Sequence, residues 1–99
     1  MTIDKTLKDG KLTLAVEGRL DTITAPRLQD VLIPSINEAI QIELDFTKLF
    51  YMSSAGLRVL LVGQKVAASK GVSFSICGVS EEVMEVLEIT GFVDILNIV

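Results

Sequence analysis

The chain is 99 residues long, 49% apolar and 22% charged, which sets one domain with enough apolar material for a core and excludes a disordered regulator. Nine Lys and Arg against thirteen Asp and Glu leave a net charge of −4, so the basic stripe that binds phosphate backbones is missing and nucleic acid is not an expected partner. The mean hydropathy of +0.54 is high, yet no apolar run reaches the ~20 residues of a membrane span, and Arg58 interrupts the best candidate.

The chain opens with Met1-Thr2-Ile3-Asp4-Lys5, which lacks the basic-then-apolar order of a signal peptide, so a soluble cytoplasmic domain is expected. Ile3 to Leu7 is short and weakly alternating, and Lys8-Asp9-Gly10-Lys11 reads as a hairpin turn. Leu12, Leu14 and Val16 then recur at period two, the pattern of a half-buried strand. Gly18-Arg19-Leu20-Asp21 ends it. Thr22 and Thr24 are candidate helix caps before Ala25-Pro26, where the missing proline N–H would be unpaired in any case.

Leu28, Val31, Leu32, Ile36, Ala39 and Ile40 predict a helix from about Ala25 to Ile40, loosened or kinked at Pro34. Ile42, Leu44 and Phe46 alternate with Glu43 and Asp45 as a strand, and Thr47 to Met52 reads as a connection too apolar to stand free in water. After Ser53-Ser54-Ala55-Gly56, the spacing of Leu57, Leu60, Leu61 and Gln64 predicts a helix to about Ser69, stopped by Lys70-Gly71. Val72 to Cys77 is the next strand. Ser80-Glu81-Glu82 opens a last helix with a capping serine and two acids at the positive end of the dipole, and Gly91 closes it. Phe92 to Val99 reads as an extended, docked tail and a candidate terminal strand. The order β-β-α-β-α-β-α calls for right-handed crossovers and an α/β domain with a mixed, mostly parallel sheet covered by helices.

Composition also constrains chemistry. Histidine is absent, which removes the commonest general base and metal ligand. Cys77, the single cysteine, sits in the apolar run Phe74-Ser75-Ile76-Cys77 and reads as a core thiol. No glycine-rich phosphate loop is present. Asp21 and Asp45 fall at strand C-terminal ends, where paired carboxylates can hold Mg²⁺ or share a proton; solvated strand-end caps are the plainer reading. No metal and no cofactor is expected. Ser53-Ser54-Ala55-Gly56 is the place that invites chemistry, since small residues at a helix start leave N–H groups open to an anion. On spacing alone, one of the serines is simply an N-cap. Phe50, Tyr51 and Met52 before it, and Leu57, Val59 and Val62 after it, suggest an apolar contact surface beside these serines.

Ser53-Ser54-Ala55-Gly56-Leu57-Arg58-Val59-Leu60-Leu61, taken with Gly18-Arg19-Leu20-Asp21, Thr24-Ala25-Pro26-Arg27-Leu28, Leu44-Asp45 and Leu87-Glu88-Ile89-Thr90-Gly91-Phe92, resembles the STAS domains of bacterial anti-sigma factor antagonists over essentially the whole chain. The resemblance implies one STAS-like domain over residues 1–99, with a mixed sheet and helices packed on one face. It also implies a binding protein rather than an enzyme. Unphosphorylated, such a protein sequesters an anti-sigma factor that is also a GHKL-type serine kinase, and a sigma factor is released. The kinase phosphorylates a serine at the start of the second helix, and a PP2C-type phosphatase reverses it. The family motif Asp-Ser-Ser/Thr-Gly-Leu places the acceptor at Ser54, with Ser53 at the aspartate position and as second choice, and Ala55 at the following Ser/Thr position. By the same matching, Asp21, Thr22, Ser53, Ser54, Ala55, Gly56, Leu57 and Arg58 form the partner-binding region. A monomer when free is the default expectation for a one-domain switch. The alternative within the same fold is a phosphorylation-independent subunit docking on a transporter ATPase or a signalling scaffold.

Overall fold

A computed structural model describes residues 1–99. Two strands, β1 (Thr2–Lys8) and β2 (Lys11–Leu20), form an antiparallel hairpin. Its turn residues Asp9 and Gly10 both have positive φ, 53° and 82°, the handedness that matches strand twist in a two-residue turn. The hairpin expected at Lys8–Lys11 is therefore present. Leu12, Leu14 and Val16 of β2 are buried while Thr13 and Ala15 are half-buried, so one face of the sheet carries the core.

The remaining strands are β3 (Gln41–Asp45), β4 (Leu49–Met52) and β5 (Ser73–Cys77). They give the order β1-β2-β3-β5, with every pairing after the hairpin parallel. Strand β2 is long enough to take two partners end to end. Its first half pairs with β3, and beyond a register shift at Gly18 (φ 108°) its second half pairs with β4. Between β3 and β4 the chain turns tightly: Thr47 donates its N–H and hydroxyl to Asp45 Oδ1, and Leu49 N–H donates to Phe46 O at 2.9 Å. Phe46 itself is completely buried. Four residues with Phe50 and Tyr51 both exposed show no period-two alternation, which is why Leu49–Met52 reads as a connection and not as the strand it forms.

Helix α1 (Ala25–Ile36) stops four residues short of the expected Ile40. Pro34 withdraws one N–H from the ladder, the N–H groups of Asn37 and Glu38 close the helix on Pro34 O and Ser35 O, and Ile40 lies 73% exposed beyond it. Helix α2 (Ser54–Lys70) ends as expected at Gly71, which adopts φ 69°. Helix α3 (Glu81–Ile89) begins with Ser80 Oγ accepting from Val83 N–H at 3.2 Å. The tail first makes a short 3₁₀ turn, Phe92–Asp94, and then touches the sheet at one place. There Ile98 bridges Ile76, and Val99 N–H donates to Ile76 O at 2.9 Å. It covers the outer edge of β5 without becoming a full strand. Cys77, expected in the core, is only half-buried at the end of β5; burial and then the Glu43 and Asp45 carboxylates push its thiol pKa up, which keeps it protonated.

Two glycines let the helices descend onto this sheet. At Gly63 a methyl group would stand 2.7 Å from Leu32 Cδ2, so α1 and α2 close on each other there. At Gly56 it would stand 2.8 Å from Leu20 Cγ and 3.0 Å from Met52 Cγ, so the first turn of α2 rests directly on the ends of β2 and β4. Gly56→Ala is expected to cost about 1–3 kcal/mol through overpacking, read as a lower urea midpoint at unchanged slope. An unchanged midpoint would show that the contact has room to spare.

Candidate functional site

The C-terminal ends of β2 and β4 lie side by side, and Ser53 N–H donates to Leu20 O at 2.9 Å to fasten them together. Two connections leave from this point: the loop Asp21–Thr24 leading into α1, and Ser53 leading into α2.

The loop is built by its own polar groups. Asp21 Oδ1 accepts from the N–H groups of Ile23 and Thr24, both at 3.0 Å. Thr24 Oγ1 accepts from Asp21 N–H at 2.9 Å and donates to Arg19 O at 2.8 Å. The Thr24 N–H is the strongest influence that holds the Asp21 carboxyl below its ordinary pKa. Arg19 approaches the same carboxylate, Nε to Oδ2 3.8 Å, while its guanidinium lies 4.1 Å from the centroid of the Tyr51 ring. With Asp21 committed to the turn, Thr22 and Ile23 are pushed outward, Ile23 to 83% exposure.

Ser53 occupies the N-cap position of α2 with extended backbone, but its hydroxyl makes no capping bond. Ser53 Oγ is buried and has no hydrogen-bond partner at all. The expectation that a serine side chain caps this helix therefore fails: Ser53 contributes its backbone, and its carbonyl accepts from Leu57 N–H at 3.2 Å. Ser54, the first helical residue, is exposed.

Between the N-terminal ends of α1 and α2 lies a groove of about 480 Å³. Thr22, Ala25, Pro26, Gln29 and Asp30 form one wall, and Ser54, Ala55, Arg58 and Val59 form the other. The structure thus brings Thr22, Ser54, Ala55 and Arg58 together on one surface. Asp21 shapes the adjoining loop, Ser53 lies beneath with its hydroxyl sealed, and Gly56 and Leu57 are buried under the helix. The α1 wall was missed from the sequence. Its signal was available, since Pro26, Gln29 and Asp30 repeat at helical spacing on the face turned away from Leu28 and Leu32.

The expected apolar surface is only partly present. Met52, Leu57 and Val59 are core residues, whereas Phe50 and Tyr51 are 69% and 41% exposed. Asp45 is used at its own turn, where Thr47 holds its pKa down, and it lines a separate hollow with Asp4, Glu17 and Lys48. The two aspartates read as strand-end caps do that work separately, and no three acidic or cysteine side chains gather as metal ligands.

A mixed sheet whose longest strand takes two parallel partners, with a groove at the helix ends above their junction, is an arrangement with known counterparts. The chain belongs to the STAS domain family, whose model matches residues 2–99, and within it to the anti-sigma factor antagonists. The anti-sigma-B factor antagonist of Listeria monocytogenes is 31% identical over 88 residues, covering 88% of this chain and 77% of that protein. An anti-sigma factor antagonist from Mycobacterium paratuberculosis superposes with a TM-score of 0.89 at 19% identity, over 98% of this chain and 83% of the other. The Bacillus cell fate determinant SpoIIAA in its phosphorylated form superposes with a TM-score of 0.77 at 14% identity, over 99% and 91% of the two chains. No helix here is long and apolar enough to cross a membrane.

The lowered pKa values of Asp21 and Asp45 set a pH dependence. A carboxylate whose folded pKa lies below its unfolded value contributes stability that is present above the unfolded pKa, 3.8 here, and is lost as pH falls through the folded one. Asp45→Asn, which keeps an acceptor for Thr47, is therefore expected to lose less urea stability than the parent on going from about pH 6 to about pH 2. Equal losses would remove Asp45 from the acid response.

Proposed function

We propose that this chain is a phosphorylation-switched binding protein of the cytoplasm, monomeric when free, whose unphosphorylated form sequesters an anti-sigma factor of the GHKL serine-kinase type. Ser54 is the acceptor. The observation that carries this reading is the contrast between the two neighbouring hydroxyls: Ser54 is exposed at the groove, while Ser53 Oγ is sealed and unpartnered beneath it. An acceptor must reach the phosphorus of a bound nucleotide, and only Ser54 can do so without unwinding the helix start. Support also comes from the relatives, antagonists of anti-sigma factors, and from the phosphorylated form of SpoIIAA.

In the forward step Ser54 Oγ attacks the γ-phosphorus of ATP. The new O–P bond forms as the bond to the β–γ bridging oxygen breaks, ADP leaves, and the hydroxyl proton passes to a base of the kinase. In the reverse step a PP2C-type phosphatase directs water at the same phosphorus, freeing inorganic phosphate and restoring the hydroxyl. The chain supplies neither catalytic group; it presents a serine.

Thr22, Ser54, Ala55 and Arg58 form the floor and rim that a partner meets, Asp21 holds the loop that presents Thr22, and Gly56 and Leu57 anchor the helix beneath. A phosphate adds about −1.5 to −2 charges and three acceptor oxygens at this rim. In a closed interface it would lose its hydration against surface shaped for a neutral hydroxyl, so the complex weakens with no refolding of the chain.

Incubation with the cognate kinase and ATP is expected to give a single phosphate, which mass spectrometry places on Ser54. A phosphate on Ser53 or elsewhere, with none on Ser54, would overturn the assignment. Immobilised kinase is expected to retain Ser54→Ala in the presence of ATP while the parent is released; release of both would contradict the switch.

A further inference from the structure

We propose that Arg58 is the built-in counter-ion of a phosphate on Ser54, pairing with it along the α2 wall of the groove. This deepens the phosphoserine reading and rests on it. Ser54 and Arg58 stand four residues apart on α2, are both exposed, and line the same wall of the groove. Residues at this spacing have Cβ atoms about 5–6 Å apart, and helical side chains lean toward the N-terminus. The guanidinium of Arg58 therefore lies within reach of the turn that carries Ser54.

Arg58 is also uncommitted. Arg19 is engaged by Asp21 and Tyr51, and Arg27 Nη2 donates to Met1 O at 3.3 Å, but no carboxylate lies within ion-pair distance of Arg58. It is the lone charge in the stretch from Leu57 to Gln64. Of the residues lining the groove, only Asp30 on the α1 wall and Arg58 on the α2 wall are charged. A dianion at Ser54 is repelled by the first and attracted by the second. A guanidinium can meet phosphate oxygens through two parallel N–H···O bonds, which fixes direction as well as charge.

The consequence is a switch with two components. Phosphate adds charge at the rim, and its pairing with Arg58 fixes where that charge sits on the α2 wall.

The test installs phosphoserine at position 54 by genetic code expansion and follows its second ionisation, normally near pH 6, by phosphorus NMR. A nearby cation lowers that pKa, so Arg58→Gln is expected to raise it by about half a pH unit relative to the parent. Arg58→Lys, which keeps the charge and loses the fork, is expected to fall between them. Arg27→Gln removes an equal charge outside the groove and is expected to titrate like the parent. Equal titration of parent and Arg58→Gln would overturn the proposal, as would an Arg27→Gln shift of the same size. The phosphate is placed without a kinase, so a kinase that ignores Ser54 would defeat the phosphorylation reading and leave this result intact.

Discussion

The structure depends on one strand with two successive partners. Strand β2 is ten residues long; β3 takes its first half and β4 its second, with Gly18 absorbing the change of register. Because β4 pairs in parallel, its end falls beside the end of β2, and the Ser53 N–H to Leu20 O bond locks the two together. The loop before α1 and the start of α2 are thereby forced to emerge side by side. The groove is a product of that register, and so is the exposure of Ser54 at its edge. Gly56 completes the arrangement by letting the helix settle on Leu20 and Met52 without a side chain in between.

This scaffold separates polar groups that build from polar groups that are free. Asp21, Thr24 and Asp45 satisfy backbone N–H groups in tight turns, which is why the two aspartates hold their protons weakly and do not converge on a ligand. Arg19 is held between a carboxylate and an aromatic ring. Around the groove, Ser54, Arg58 and Asp30 carry no such commitments. A surface with uncommitted polar groups at its rim suits the binding role of the anti-sigma factor antagonists, the family to which the chain belongs.

Most of the architecture was legible from periodicity. Leu12, Leu14 and Val16, or Ile42 and Leu44, alternate because one face is buried and the other is not, and Lys70-Gly71 stops a helix by a local rule. Strand β4 was illegible because Phe50 and Tyr51 are both exposed in a segment of four residues, which leaves no alternation to read. The end of α1 was misplaced because Ala39 and Ile40 continue a helical spacing that Pro34 and Asn37 have already closed. Within the site, the start of α2 at Ser54 was legible from the small residues Ser53-Ser54-Ala55-Gly56 ahead of the apolar helical spacing. The sealing of Ser53 depends on how Leu20 and the helix start meet in three dimensions, and no local pattern encodes it.

The central claim is that a hydroxyl at position 54 permits a complex that a phosphate at the same position forbids. Titration calorimetry of the cognate anti-sigma kinase against the unmodified chain and against the chain carrying phosphoserine at 54 tests it most directly. The modified chain is predicted to bind about a hundredfold more weakly, a loss of about 2.7 kcal/mol that one desolvated charge can supply. Equal affinity for the two forms would contradict the account.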